Sequence, residues 1–156
     1  MAAEPWNWLE ATTVALAIRN SQMLTAGLSA VHVIGLTLTS GGALLSGLRL
    51  LGVVLADHPV PDVTGAARRG ITVGLAISVT TGLLLFSTRA SAAVENPIFR
   101  IKMLLLAAAA LYHATAFRAA TARTDPARPT RPLHGVLTLG LWIGLAAAGC
   151  AFILLE

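Results

Sequence analysis

The chain has 156 residues, 56% of them hydrophobic and only 12% charged, with a formal net charge of +4 and a mean hydropathy of +0.76. A soluble domain of this length carries about twice that charged fraction. A water-soluble enzyme is therefore excluded, and the arginine surplus has to be explained by location rather than by nucleic acid.

At the N-terminus Glu4 and Glu10 stand where a secretory signal needs a positive region, so residues 1–20 do not read as a signal peptide. Trp6 and Trp8 read as interfacial anchors, and residues 8–19 predict a short helix lying in the membrane interface. Positions 20–48 contain no Lys, Arg, Asp or Glu. About 20 apolar residues suffice to cross the hydrocarbon, so a first span is placed at 24–49, closing on Arg49. The next segment, "ADHPVPDVTGAARR", holds Pro59, Pro61 and Gly65 and reads as a turn-rich loop. Residues 50–56 are expected to continue the first helix or lie along the interface.

A second span fills the uncharged run 70–88. After the short connection "STRASAAVENP", Asn96–Pro97 has the form of a helix start, Asn capping and Pro first. The third span, 98–118, needs Arg100 and Lys102 to snorkel at the interface before the uncharged run 103–117. The connection "RAATARTDPARPTRP" is basic and proline-bearing, and the fourth span occupies 133–155. The expected fold is all-α: one transmembrane domain, 1–156, built as an up-down-up-down four-helix bundle with a short interfacial helix in front. Short loops make consecutive spans antiparallel neighbours.

The cations divide unevenly. Arg49, Arg68, Arg69, Arg118, Arg123, Arg128 and Arg131 fall at one end of such a bundle; Arg19, Arg89, Arg100 and Lys102 fall at the other. Cytoplasmic loops carry the Lys and Arg excess, which predicts periplasmic termini in a bacterial inner membrane. Small residues recur every four positions: Gly35, Thr39, Ala43 and Gly47; Gly70, Gly74, Ser78 and Gly82; Gly140, Gly144 and Ala148. Such ridges let helices approach closely in lipid, within one copy or between copies in a homo-oligomer.

Few groups in the spans can do chemistry. His32 lies inside the first span on the face of Gly35 and Thr39, and intramembrane polar groups are default functional candidates. By helical rise, Met103 and Cys150 fall near its depth, with Met23 just outside. Imidazole with thioether suits a haem iron, and adding thiolate suits copper(I). His113 and His134 lie at similar depth on consecutive spans, where they could bracket a haem b. The plain alternative for each histidine is a packing hydrogen bond. Arg49 marks the inner boundary of the first span, or reaches a haem propionate or a quinone carbonyl. The spans carry no internal Asp or Glu, which disfavours a carboxylate proton relay, a cation-coupled transporter or an intramembrane protease. The lone Cys150 excludes an internal disulfide.

"HVIGLTLTSGGALLSGLRLLG" (32–52), "NPIFRIKMLLLAAAALYHATAF" (96–117) and "GLWIGLAAAG" (140–149) resemble a family of small, uncharacterised bacterial inner-membrane proteins with four helices. The shared features are a histidine and glycines in the first span, an "LRLLG" ending, an "NPxFRxK" start to the third span and a tryptophan in the last. Ser29 and Gly47 depart from the acidic residues usual in that family. The architecture is loosely similar to copper-resistance membrane proteins and small b-type cytochromes. The resulting expectation is a membrane redox subunit binding haem b or contacting quinone, working with a redox partner protein rather than as a stand-alone enzyme. His32, Met103, His113, His134 and Arg49 are its candidate cofactor residues. Copper handling through His32, Met103 and Cys150 is the first alternative, and a non-catalytic anchor or assembly subunit the second.

Overall fold

A computed structural model of the chain describes residues 4–122 and 131–154. Two short helices, α1 (Glu4–Glu10) and α2 (Thr13–Arg19), precede α3 (Gln22–Leu51). Then come α4 (Val60–Ser87), α5 (Ala90–Glu95) and α6 (Pro97–Tyr112). A π-helical turn, His113–Phe117, joins α6 to α7 (Arg118–Ala122), and α8 runs from Pro132 to Leu154. No strand occurs among the described residues. Four segments are long and apolar enough to cross a membrane: Gln22–Leu51, Val60–Ser87, the continuous Pro97–Ala122, and Pro132–Phe152. Val33, Ile34, Leu104, Leu111 and Leu133 are each more than half exposed on the bundle surface. An apolar exterior of this extent needs lipid around it. The protein is an all-α, multi-pass membrane bundle.

The helix limits follow from local chemistry, and two differ from expectation. The N-terminal segment is two helices rather than one, because the Thr12 side chain accepts from Ala15 N–H and caps a new start. α3 stops at Leu51, so of the two paths expected for residues 50–56 the chain does not take the continued helix. Gly52 takes φ 76° and Val53 N–H reaches back to Leu48 C=O, the αL termination that glycine permits. α4 begins about ten residues ahead of the expected span. Pro59 and Pro61 sit at its cap and first turn, where a missing N–H costs nothing, and Asp62 faces the helix dipole. Asn96 caps α6, its side chain accepting from Ile98 and Phe99 N–H. Most of the basic connection, including Arg123 and Arg128, and residue 155 lie outside the described residues.

Packing is unequal around the bundle. α3 is seated against α4 and α8, and α6 against α8. Ala43, Ile71, Ala109, Trp142 and Leu145 bring all four spans into one core cluster. The α3–α4 seam is the tightest: a Cβ added to Gly74 would lie 2.6 Å from the Gly35 carbonyl, and one added to Gly35 would lie 2.9 Å from the Gly74 carbonyl. At the α3–α8 seam, Gly47 and Gly135 meet in the same way. α4 and α6, although consecutive spans, barely touch; α4 meets that third span mainly through α7. The small residues of α4 are turned to α3, which leaves bulkier Ile71, Thr72 and Leu75 on the side facing α6.

Two ends of the bundle can be distinguished. The terminal end carries α1, α2 and α5, and the loop end carries the α3–α4 connection. At the terminal end Trp6, Phe86, Phe99 and Phe152 form a chain of ring contacts 5.4–5.7 Å apart. Arg89 and Lys102 each lie just under 6 Å from the Phe152 ring.

Candidate functional site

The sparse contact between α4 and α6 leaves a groove at the loop end. Its cavity of about 380 Å³ is lined by Arg68, Ile71, Thr72 and Leu75 of α4, and by Ala110, His113, Ala114 and Arg118 of the third span. That volume falls in the range of small-molecule sites, about 300–1,000 Å³. The groove is layered. Arg68 lies two residues before the uncharged run 70–88 and Arg118 directly after the run 103–117, so they form a basic rim at this end of their spans. His113 lies about 7 Å deeper by helical rise, and Leu75 and Ala110 close the apolar floor.

His113 is 8% exposed, and neither of its ring nitrogens has a hydrogen-bond partner among the described residues. A neutral imidazole has one donor and one acceptor, so both capacities are unused. The ring is stacked on Phe117 at 4.7 Å and meets Trp142 edge-on at 6.5 Å, which fixes its orientation. The buried Trp142 indole N–H is also without a partner. His113 opens the π turn, and such turns concentrate at functional sites. Nor does Arg68 or Arg118 form an ion pair or a hydrogen bond through its guanidinium with any described residue.

His134 is placed differently. Its Nδ1 lies 3.1 Å from the Tyr112 hydroxyl, its ring stacks on Tyr112 at 6.2 Å, and Thr138 donates to its backbone carbonyl at 2.7 Å. This knot ties α6 to α8. His113 and His134 thus engage different neighbours: adjacent helix positions project about 100° apart, and it is Tyr112, not His113, that is aimed at α8's first turn.

His32 is half-buried in the α3–α4 seam. Its Nδ1 lies 2.9 Å from Thr81 Oγ1, and that hydroxyl donates to Ile77 C=O at 2.7 Å. With the hydroxyl proton so engaged, the oxygen accepts and the imidazole carries its proton on Nδ1. Met103 is 43% exposed and Met23 85% exposed, and Cys150 is also exposed. Among the described residues no three His, Cys, Asp or Glu side chains gather into a metal-binding group.

Arg49 is neither a free boundary charge nor a groove residue. It is 3% exposed, and its guanidinium donates to His58 C=O at 2.6 and 3.0 Å and to Ala56 C=O at 3.3 Å. It therefore staples the α3–α4 connection onto the end of α3. Sequence reading missed Arg68 and Arg118, treating them as topology signals, and missed Tyr112 and Trp142. One signal was available: the only tyrosine in the chain stands beside a histidine within a span.

The chain belongs to a family of unknown function (DUF6644), which it matches over residues 6–153. No curated protein and no solved structure matches it.

Proposed function

We propose that this protein is a small membrane redox subunit that binds the head group of a quinone in the α4–α6 groove. One observation carries the reading: His113 is buried on the groove wall with both ring nitrogens unpartnered. A buried polar group left unpaired costs about 1–3 kcal/mol, and a ligand with matching groups recovers it. A quinone carbonyl accepts from the imidazole N–H, while a quinol hydroxyl donates to the other nitrogen. The apolar floor at Leu75 and Ala110 suits the ring and the start of an isoprenoid tail. Electrons would pass to or from a partner protein. A cytoplasmic placement of the loop end, from the positive-inside rule, sets the groove in the inner leaflet.

The test is titration of the protein in nanodiscs with short-chain ubiquinone and menaquinone analogues, read by quenching of Trp142 with Trp6 and Trp8 replaced by Phe. Saturable quenching is expected, weakened about tenfold in His113→Leu, equivalent to about 1.4 kcal/mol. Linear, unsaturable quenching, or equal affinity in the variant, would overturn the assignment.

A second reading keeps haem b or copper at His32. It is favoured by the Thr81 contact, which pins the Nδ1 proton and leaves Nε2 as the nitrogen available for ligation. An optical spectrum of the purified protein decides it for haem through the Soret band, and elemental analysis decides it for copper.

A further inference from the structure

We infer that the rim of the groove is a binding site for the phosphodiester of an anionic phospholipid, held between Arg68 and Arg118. The two guanidiniums come from different helices, α4 and α7, and line one cavity. Both are exposed, and neither has an ion-pair or hydrogen-bond partner among the described residues. Among the described residues no Asp or Glu lines the groove, and the nearest acid along α4 is Asp62, six residues before Arg68. Two unneutralised cations facing one cavity repel each other unless an anion sits between them. A guanidinium pair presents forked donors that match phosphate oxygens.

Depth selects the lipid. Arg68 lies two residues before the uncharged run 70–88 and Arg118 directly after the run 103–117, so both fall at the end of their spans, the depth at which phospholipid phosphates are expected. Beyond the rim the lining is mostly apolar, through Ile71 and Ala114 to Leu75 and Ala110, with Thr72 and the buried His113 as its polar members. A soluble anion would meet this wall with nothing to bury there. A phospholipid places its phosphate at the rim and the start of an acyl chain against Ile71 and Ala114, short of the Leu75 and Ala110 floor. Basic pockets between spans bind anionic headgroups by this division of labour. Arg69 is the internal control, since it is exposed on the same helix but does not line the groove.

The inference does not rest on the quinone reading. The phosphate occupies the rim, and His113 lies deeper. The test is native mass spectrometry of the protein released from micelles containing equal phosphatidylglycerol and phosphatidylcholine. The wild type is expected to retain one phosphatidylglycerol preferentially. Arg68→Gln/Arg118→Gln should lose about tenfold of that preference, Arg68→Lys/Arg118→Lys should keep most of it, and Arg69→Gln should match the wild type. His113→Leu should leave retention within about twofold while it weakens quinone binding. Equal loss in Arg69→Gln would reduce the effect to diffuse surface charge and overturn the proposal. Displacement of the lipid by millimolar inorganic phosphate, with phosphate adducts in its place, would overturn the lipid as the source of the anion.

Discussion

The α3–α4 seam and the α4–α6 groove share a helix and each holds a histidine, yet they are opposites. In the seam, backbones approach closely enough that a single added carbon at Gly74 meets a carbonyl at 2.6 Å, and His32 has Thr81 as a hydrogen-bond partner. In the groove the helices stand apart, and among the described residues neither His113's ring nitrogens nor the guanidiniums of Arg68 and Arg118 have a partner. One face of α4 is small residues and holds the bundle together; the other is bulkier and leaves a space. The division of labour between assembly and binding is therefore written around the circumference of one helix.

The largest expected effect is on the seam. Gly74→Leu must push α3 and α4 apart against backbone rather than a flexible side chain, and overpacking of this kind costs about 3 kcal/mol or more. Unfolding in mixed micelles with increasing SDS should show it. Gly140→Leu should be near neutral, since nothing lies within 4 Å of a Cβ built there. If both tolerate leucine equally, the seam is not what holds the bundle. The next effect is at the loop end. Arg49→Met removes charged hydrogen bonds to the Ala56 and His58 carbonyls, each of a kind contributing about 1.5–3 kcal/mol. A loss of about 2 kcal/mol is expected, with faster proteolysis between residues 53 and 58. Arg49→Lys should recover only part, because an ammonium cannot reproduce the fork.

Charge spacing made the spans legible, because 20-residue stretches without Lys, Arg, Asp or Glu have few other physical explanations. Asn96–Pro97 was legible for a local reason, a capping side chain followed by a residue that needs no N–H. Pro59 and Pro61 misled for the same reason. Proline breaks a helix interior but opens a helix, and only the chain beyond it reveals which. The pairing of His113 with His134 could not be decided from spacing, since the π turn changes the register after Tyr112 and one residue of rotation exchanges Tyr112 for His113 at the α8 face. Arg49 was legible as a boundary but not as a staple, because its partners are carbonyls of a connection whose path depends on the αL turn at Gly52. The groove was invisible for a broader reason: it exists where two consecutive helices fail to pack, and no sequence pattern marks an absent contact.

The two histidines give the most direct comparison of seam and groove, since the same substitution should lower stability at one and not at the other. His32→Leu deletes the contact to Thr81, and interhelical hydrogen bonds in membranes average about 0.6 kcal/mol. A destabilisation of that order is expected. His113→Leu deletes no hydrogen bond and replaces the ring contacts to Phe117 and Trp142 with apolar ones, so stability should stay level or rise by about 1 kcal/mol. SDS unfolding of both variants, without added quinone, reads the difference. A clear loss in His113→Leu would mean that the imidazole is already satisfied, and the quinone reading would lose the observation that carries it.

The smallest effect lies at the terminal end, outside the spans, and depends on pH. Glu10 accepts from the Ser91 backbone N–H at 2.7 Å, and this bond holds its carboxyl below the usual carboxylate range, with Arg19 at 4.0 Å adding a little. A carboxyl whose value is depressed in the folded chain contributes stability above its unfolded value, and loses it as the pH falls through the folded one. The attachment of α1 to α5 should therefore hold at neutral pH and weaken only below about pH 4. Glu10→Gln should remove the pH dependence while keeping a weaker, neutral acceptor for Ser91. The packing of Trp6 against Phe86 provides the signal: its fluorescence should change on acidification in the wild type and stay flat in the variant. Because the groove lies at the other end of the bundle, quinone affinity measured over the same acidic range in the two proteins should differ little. If it does differ, the terminal helices and the α4–α6 opening are coupled through α4, and the two ends cannot be treated separately.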